Sequence, residues 1–143
     1  MTAEQCRSRS ASRALLLVAM AALPASAGDW REIAVDDASN RYLVDGDRVS
    51  RQAGLVKAYV RTEYAQPRER KDVGKPIFAA IDRLAVRCAE RSFALESRSV
   101  VTSDGEEILV LASGRDELEF RPVLEGSPSA AIVRHLCAPP ATR

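Results

Sequence analysis

Asp82–Val110, DRLAVRCAERSFALESRSVVTSDGEEILV, decides how this chain folds. It reads as a strand, a bend, a second strand, the turn Ser103-Asp104-Gly105 and a third strand. Asp-Gly signals a hairpin because glycine supplies the positive φ that a tight turn between strands demands. Glu107–Ala112, EILVLA, is the most apolar run after the N-terminal segment and predicts a central strand. Cys88 lies in the first strand. Its one partner in an exported chain is Cys137, six residues from the C-terminus. A bond between them would fasten the end of the chain back onto the centre of the sheet.

Residues 1–27 form a targeting signal. Arg7, Arg9 and Arg13 give a positive start, Ala14–Leu23 an apolar core, and Pro24 precedes the small-residue site Ala25-Ser26-Ala27, the pattern of a cleaved secretory signal. As a helix the apolar core spans about 15 Å, half of a hydrocarbon layer of about 30 Å, so it predicts no membrane anchor. A lipid anchor would need a cysteine after the apolar core, where Gly28 stands. The expected product is soluble, and periplasmic or secreted.

Removing 27 of the 143 residues leaves 116, the size of one domain. The whole chain has 21 basic and 20 acidic residues, and the signal takes three Arg and one Glu, leaving 18 and 19. That balance argues against nucleic acid as a partner, since such proteins carry a basic excess. Both methionines and Cys6 leave with the signal. Cys88 and Cys137 then share a compartment that permits disulfides. Closing that loop would stabilise by roughly 4 kcal/mol in the chain-entropy model. Two free thiols are the alternative.

Along the domain, Asp29–Val35 predicts an edge strand, Asp36–Asn40 a turn and Arg41–Asp45 a short strand. Gly46-Asp47 breaks the pattern, and Arg48–Gln52 continues after a bend. In Leu55–Tyr64, Leu55, Lys57, Tyr59, Arg61 and Glu63 share one face. Val56, Ala58, Val60, Thr62 and Tyr64 share the other, the cleaner core candidate. Ala65–Lys75 reads as a solvated loop. Pro76–Arg91 is ambiguous: Ile77, Phe78, Ile81, Leu84, Ala85 and Cys88 fall at helical spacing, whereas Leu84, Val86 and Cys88 alternate as in a strand. The strand reading is taken from Ala80 onward. Leu118–Val123 predicts a last strand, ended by Pro122. Ser127 as N-cap and Pro128 at the first position predict a helix to Cys137, with Ala131, Ile132, His135 and Leu136 on one side. Strands followed by one terminal helix give an α+β domain.

No residue set spells out a reaction. His135 is the one histidine, whereas a catalytic triad needs a positioned base with nucleophile and carboxylate. Zinc sites want three or four Cys/His ligands. Asp36-Asp37 and Glu106-Glu107 are sequence neighbours that point to opposite sides of an extended chain. Tyr42, Tyr59 and Tyr64 suit packing on the sheet. The expectation is a protein that is not an enzyme and uses no cofactor or metal.

Read in order, several landmarks resemble the surface-adhesin E family of exported Gram-negative proteins. They are Trp30 after the signal, Tyr42-Leu-Val-Asp45, Arg48-Val-Ser50, Leu55–Tyr59, Cys88, the Ser103-Asp104-Gly105 turn, Glu119–Val123, and Glu125-Gly126-Ser127 leading to a helix that ends in Cys137. The resemblance implies an antiparallel sheet of about six strands with the C-terminal helix packed on it and a Cys88–Cys137 bond. It also implies adhesion to host extracellular-matrix or serum proteins, and self-association into a homodimer. The chain departs from it in lacking a lipid-anchor cysteine and in carrying Phe120 where many relatives have tryptophan. The competing expectation is a periplasmic accessory or inhibitory module that binds an envelope protein. Under either reading the contact residues are expected where charge is exposed without a packing reason: Arg68 and Arg70 in the loop, and Arg83, Arg87 and Arg98 on the polar face of the central strands.

Overall fold

Residues 28–140 are described by the structure, a computed structural model; the expected signal, residues 1–27, lies outside the described residues. The alternation in Leu55–Tyr64 holds, and it sets the architecture. Val56, Ala58 and Val60 are buried, while Leu55, Lys57, Tyr59 and Arg61 lie half-buried on the opposite face. The strands are β1 (Trp30–Val35), β2 (Arg41–Asp45), β3 (Ser50–Gln52), β4 (Leu55–Arg68), β5 (Ile77–Arg87), β6 (Ser92–Thr102), β7 (Glu107–Ala112) and β8 (Arg121–Pro122), followed by the helix α1 (Pro128–Cys137). Six of them form one path, β1-β2-β4-β5-β6-β7, with β3 added to β4 and β8 to β6. The sheet therefore has eight strands, not about six, because two short segments extend it at their points of contact. All pairs are antiparallel.

Turn chemistry fixes the register. Ala53 and Gly54 join β3 to β4 with φ of 49° and 78°, the pair of positive values that matches strand twist in a two-residue hairpin. Gly105, at φ 81°, closes the β6–β7 turn with its N–H on the Thr102 carbonyl. Lys75 Nζ reaches Asp104 and Glu106 at 2.8 Å each, pinning the β4–β5 loop to that turn.

The helix covers one face. Ser127 Oγ accepts the Ala130 N–H and Pro128 sits in the first turn, as expected. Ile132, Val133 and Leu136 pack on Val44, Val56, Val60, Leu84 and Val86. Burying a side chain such as Leu136 contributes roughly 1.5–3 kcal/mol. Arg51 on β3 donates to the Leu136 carbonyl at 2.8 Å, satisfying a last-turn acceptor that the helix itself leaves open. Cys88 and Cys137 are bonded, with Cα atoms 5.5 Å apart. Ala130 and Val133 join the buried side of the helix, whereas His135 is exposed.

Several readings need correction. Residues 77–87 form a strand throughout, starting before Ala80. The helical spacing misleads because β5 is buried on both faces, so apolar residues occupy both alternating sets. Cys88 is the first residue after β5, so the disulfide ties the helix to the rim of the central strand and not to the sheet centre. Glu107–Ala112 is an edge strand, with Leu109 63% and Leu111 42% exposed. It is added last in a run of hairpins, and connection order, not apolarity, decides its place. β4 runs on to Arg68, shortening the loop. Of Leu118–Val123, Arg121 and Pro122 alone are strand.

Candidate interaction surface

Among the described residues, no second layer covers the face away from the helix, yet Ala85 and Ala94 on it are 0% and 1% exposed. Register explains how. Lys57, Ala85 and Ala94 lie in one row across β4, β5 and β6; Tyr59, Arg83 and Ser97 lie in the next, and Leu55, Arg87 and Ser92 in the row on the other side. Small residues thus sit between long ones, whose aliphatic stems are long enough to shelter them. Glu96 occupies the irregularity beside the Arg83–Ser97 pair. Its side chain, 12% exposed, takes Lys57 Nζ at 2.5 Å and Arg83 Nε at 3.0 Å. Two cations are thereby held in place by one carboxylate beneath them.

Aromatic rings hold the others. Arg48, in the turn after β2, stacks 4.2 Å from the Tyr59 ring centre and 5.6 Å from that of Trp30. Its Nε donates at 2.6 Å to Asp45, a fully buried carboxylate. Arg83 lies 5.8 Å from Tyr59, and Arg87 stacks 3.8 Å from Phe120, which the 113–120 segment brings over β5. Guanidinium over a ring gains about 0.5–1 kcal/mol at an exposed site and fixes the donor plane. Between these groups runs a groove of about 850 Å³ lined by Gln52, Leu55, Arg87, Leu118 and Phe120. Ser50 and Lys57 are shared with a smaller cleft of about 270 Å³ that ends at Arg48, Tyr59 and Arg83. The two form one trough, with Asp47, Glu90 and Asp116 along its margins.

The other end of the same face is self-neutralised. Arg41 bridges Glu32 at 2.6 Å and Glu63 at 2.8 Å, and Arg61 shares Glu63. At the adjoining β1–β2 turn, Asp36 accepts from Ala38, Asn40 and Tyr42. The Asn40 side-chain bond leads in holding that carboxyl below its usual range. Burial, with the Asp36 bond second, pushes the Tyr42 phenol up to about 12.

Of the arginines chosen from sequence, Arg83 and Arg87 lie on the trough. Arg98 does not share their face: it pairs with Asp82 across β5–β6, in two bonds of 2.7 Å. Asp82 is buried on the helix side, and its hydrogen bond raises the Arg98 pKa. Arg68 stacks on Tyr64 at 4.4 Å, and Arg70 forks onto Asp72. Arg68 faces Ile77 at the far end of β5, ten residues or about 33 Å from Arg87. Lys57, Tyr59 and Glu96 were legible as strand residues only. Arg48 and Phe120 carry no local signal, because loops bring them to the trough.

Residues 30–138 match the family model for surface-adhesin protein E. The chain belongs to that family. No curated protein matches the sequence at a significant level. Among solved structures, this family member is similar to Haemophilus influenzae protein E, at 9% identity over 74% of this chain and 83% of that one, with a TM-score of 0.55. That likeness is one of fold. Among the described residues, no helix is long and apolar enough to cross a membrane, and no three His, Cys, Asp or Glu side chains gather as metal ligands.

Proposed function

We propose that this surface-adhesin-like protein works in the periplasm or outside the cell by binding another protein, without catalysis, and that the trough is where it binds. One observation carries the reading. Four cations stand fixed on a face left uncovered among the described residues, three by carboxylates under them and three with rings beside them. A partner segment with acidic side chains at its centre would meet Arg83 and Arg87 without ordering them first, and the ordering of long side chains is a main cost of association. Arginine also suits this use because its planar fork pairs with carboxylates while its stem covers apolar surface. Host extracellular-matrix or serum proteins are the partners that family membership favours.

The test is capture from matrix and serum proteins and, in parallel, from envelope extract, followed by titration of whatever binds. Arg87→Glu is expected to weaken binding at least about tenfold, most at low salt, where charge is least screened. Arg134→Glu, on the helix at the opposite side, is expected to leave it unchanged. Equal affinities for the two variants across salt concentrations would exclude the trough as the contact.

A further inference from the structure

Asp45 is a carboxylate at 0% exposure with acceptor capacity to spare. Its Oδ1 takes the Asp47 N–H at 3.0 Å and its Oδ2 takes Arg48 Nε at 2.6 Å. An ionised carboxylate offers about four acceptor positions, so among the described residues two stay open. Against it lies the backbone of Gly28: a Cβ there would collide with the carboxylate, standing 2.8 Å from its Cγ. Only glycine lets the chain pass so close. The α-nitrogen is one bond, about 1.5 Å, from that Cα.

We propose that the Asp45 carboxylate is a docking site for the chain's own processed N-terminus, the α-ammonium of Gly28 released by cleavage after Ala27. The assignment rests on the reading of Ala25-Ser26-Ala27 as the cleavage site. Hydrolysis of the Ala27–Gly28 peptide bond by water replaces a neutral amide, which has one N–H, with an ammonium, which has three and a charge. The ammonium pairs with a carboxylate that water does not reach, so β1 and β2 lock together at this end only after export. The groups bonded to Asp45 are Asp47, through its N–H, and Arg48, both from the turn; Asp29 and Arg31, at the start of β1, lie against the neighbouring Gly46, and Tyr59 of β4 flanks Arg48. Asp29 is already held by Arg31 at 2.8 Å. Arg48 divides its charge between Asp45 and the two rings.

Pairing raises the amine's folded-state pKa above its ordinary value of about 7.7–8.0. The stabilisation is then complete below that value and is lost as pH rises through the raised one. The experiment compares the chain beginning at Gly28 with one that keeps Ala27 and with the Gly28 chain acetylated at its N-terminus. At pH 7 the Gly28 chain is expected to melt about 5 °C above both. The gap closes at alkaline pH and is absent in Asp45→Asn. Equal melting temperatures at pH 7, or a gap unchanged with pH, overturn the docking, and the acetylated chain decides the matter even where Asp45→Asn fails to fold. The intact mass of the exported protein tests the cleavage separately: a start other than residue 28 removes the ligand and overturns the assignment at its first step.

Discussion

The two faces of this sheet bury their central residues by different chemistry. On the helix side, Val56, Val60, Leu84 and Val86 are shut in by Ile132, Val133 and Leu136, branched side chains with no other use. On the open side, Ala85 and Ala94 are as deeply buried, but in rows flanked by long cations whose heads end in water. The first cover is rigid and apolar. The second is made of groups that can also meet a partner. Strand alternation sends every second residue of one short sequence to each purpose, so stability and recognition are separable position by position.

The largest effect expected from that division is on the dry side. Leu136→Ala removes a fully buried side chain from a helix held at both ends, by Ser127 and by the disulfide, so the site cannot collapse to fill the void. A loss of about 3 kcal/mol is expected, read by denaturant unfolding with the disulfide intact. A loss below about 1 kcal/mol would show that the helix is a loose cover, and the contrast between the faces would fail.

How much of this was legible beforehand follows from where the information sits. From Leu55 to Tyr64, β4 was read correctly, faces included, because one of its sides is dry and the other wet, and period-2 alternation reports that difference directly; its run on to Arg68 was not. The helix was legible from Ser127, Pro128 and the residues that stop it, all local signals. β5 was blurred because both its faces are covered, which erases the alternation. The edge position of β7 was illegible, since apolarity measures a strand's own residues and not its neighbours. The trough was half visible: Arg83 and Arg87 lie on a strand whose parity can be counted. Arg98 was placed on the wrong face because the irregularity at Arg83/Leu84, where Glu96 is the extra residue of β6, shifts the count, and nothing in a single strand's sequence marks a bulge.

Arg98 offers the second, smaller test. It is a charged residue on the helix side, and its carboxylate partner Asp82 is 8% exposed. Arg98→Leu would leave that charge uncompensated, at a cost of about 2 kcal/mol, less than for a fully buried pair because the guanidinium is half in water. Replacing both residues by leucine is expected to recover most of the loss, since two apolar groups can substitute for a buried ion pair. Thermal unfolding of the two single variants and the double variant measures the coupling. If the double variant is no better than Arg98→Leu, the pair is needed to fix register across the β5–β6 irregularity, and the helix side depends on a polar device after all.

The smallest effect is expected at Arg87, and it bears most directly on what the open face is for. Its ion pair with Glu90 is long, at 3.5 Å, and its side chain is 48% exposed, so the charge itself contributes little to stability. What holds it is Phe120, 3.8 Å away, in a contact worth about 0.5–1 kcal/mol. Arg87→Ala is therefore expected to cost no more than about 1 kcal/mol, and in a Phe120→Leu background nearly nothing, because the same stacking cannot be lost twice. The 113–120 segment, with its chief anchor gone, is expected to lose amide protection from hydrogen exchange while β5 and β6 keep theirs. A cost of 2 kcal/mol or more, with protection falling across β5, would mean that Arg87 supports the sheet as Leu136 does. The open face would then be a second core built from long polar residues, and its cations could not be altered to test binding without unfolding what they cover.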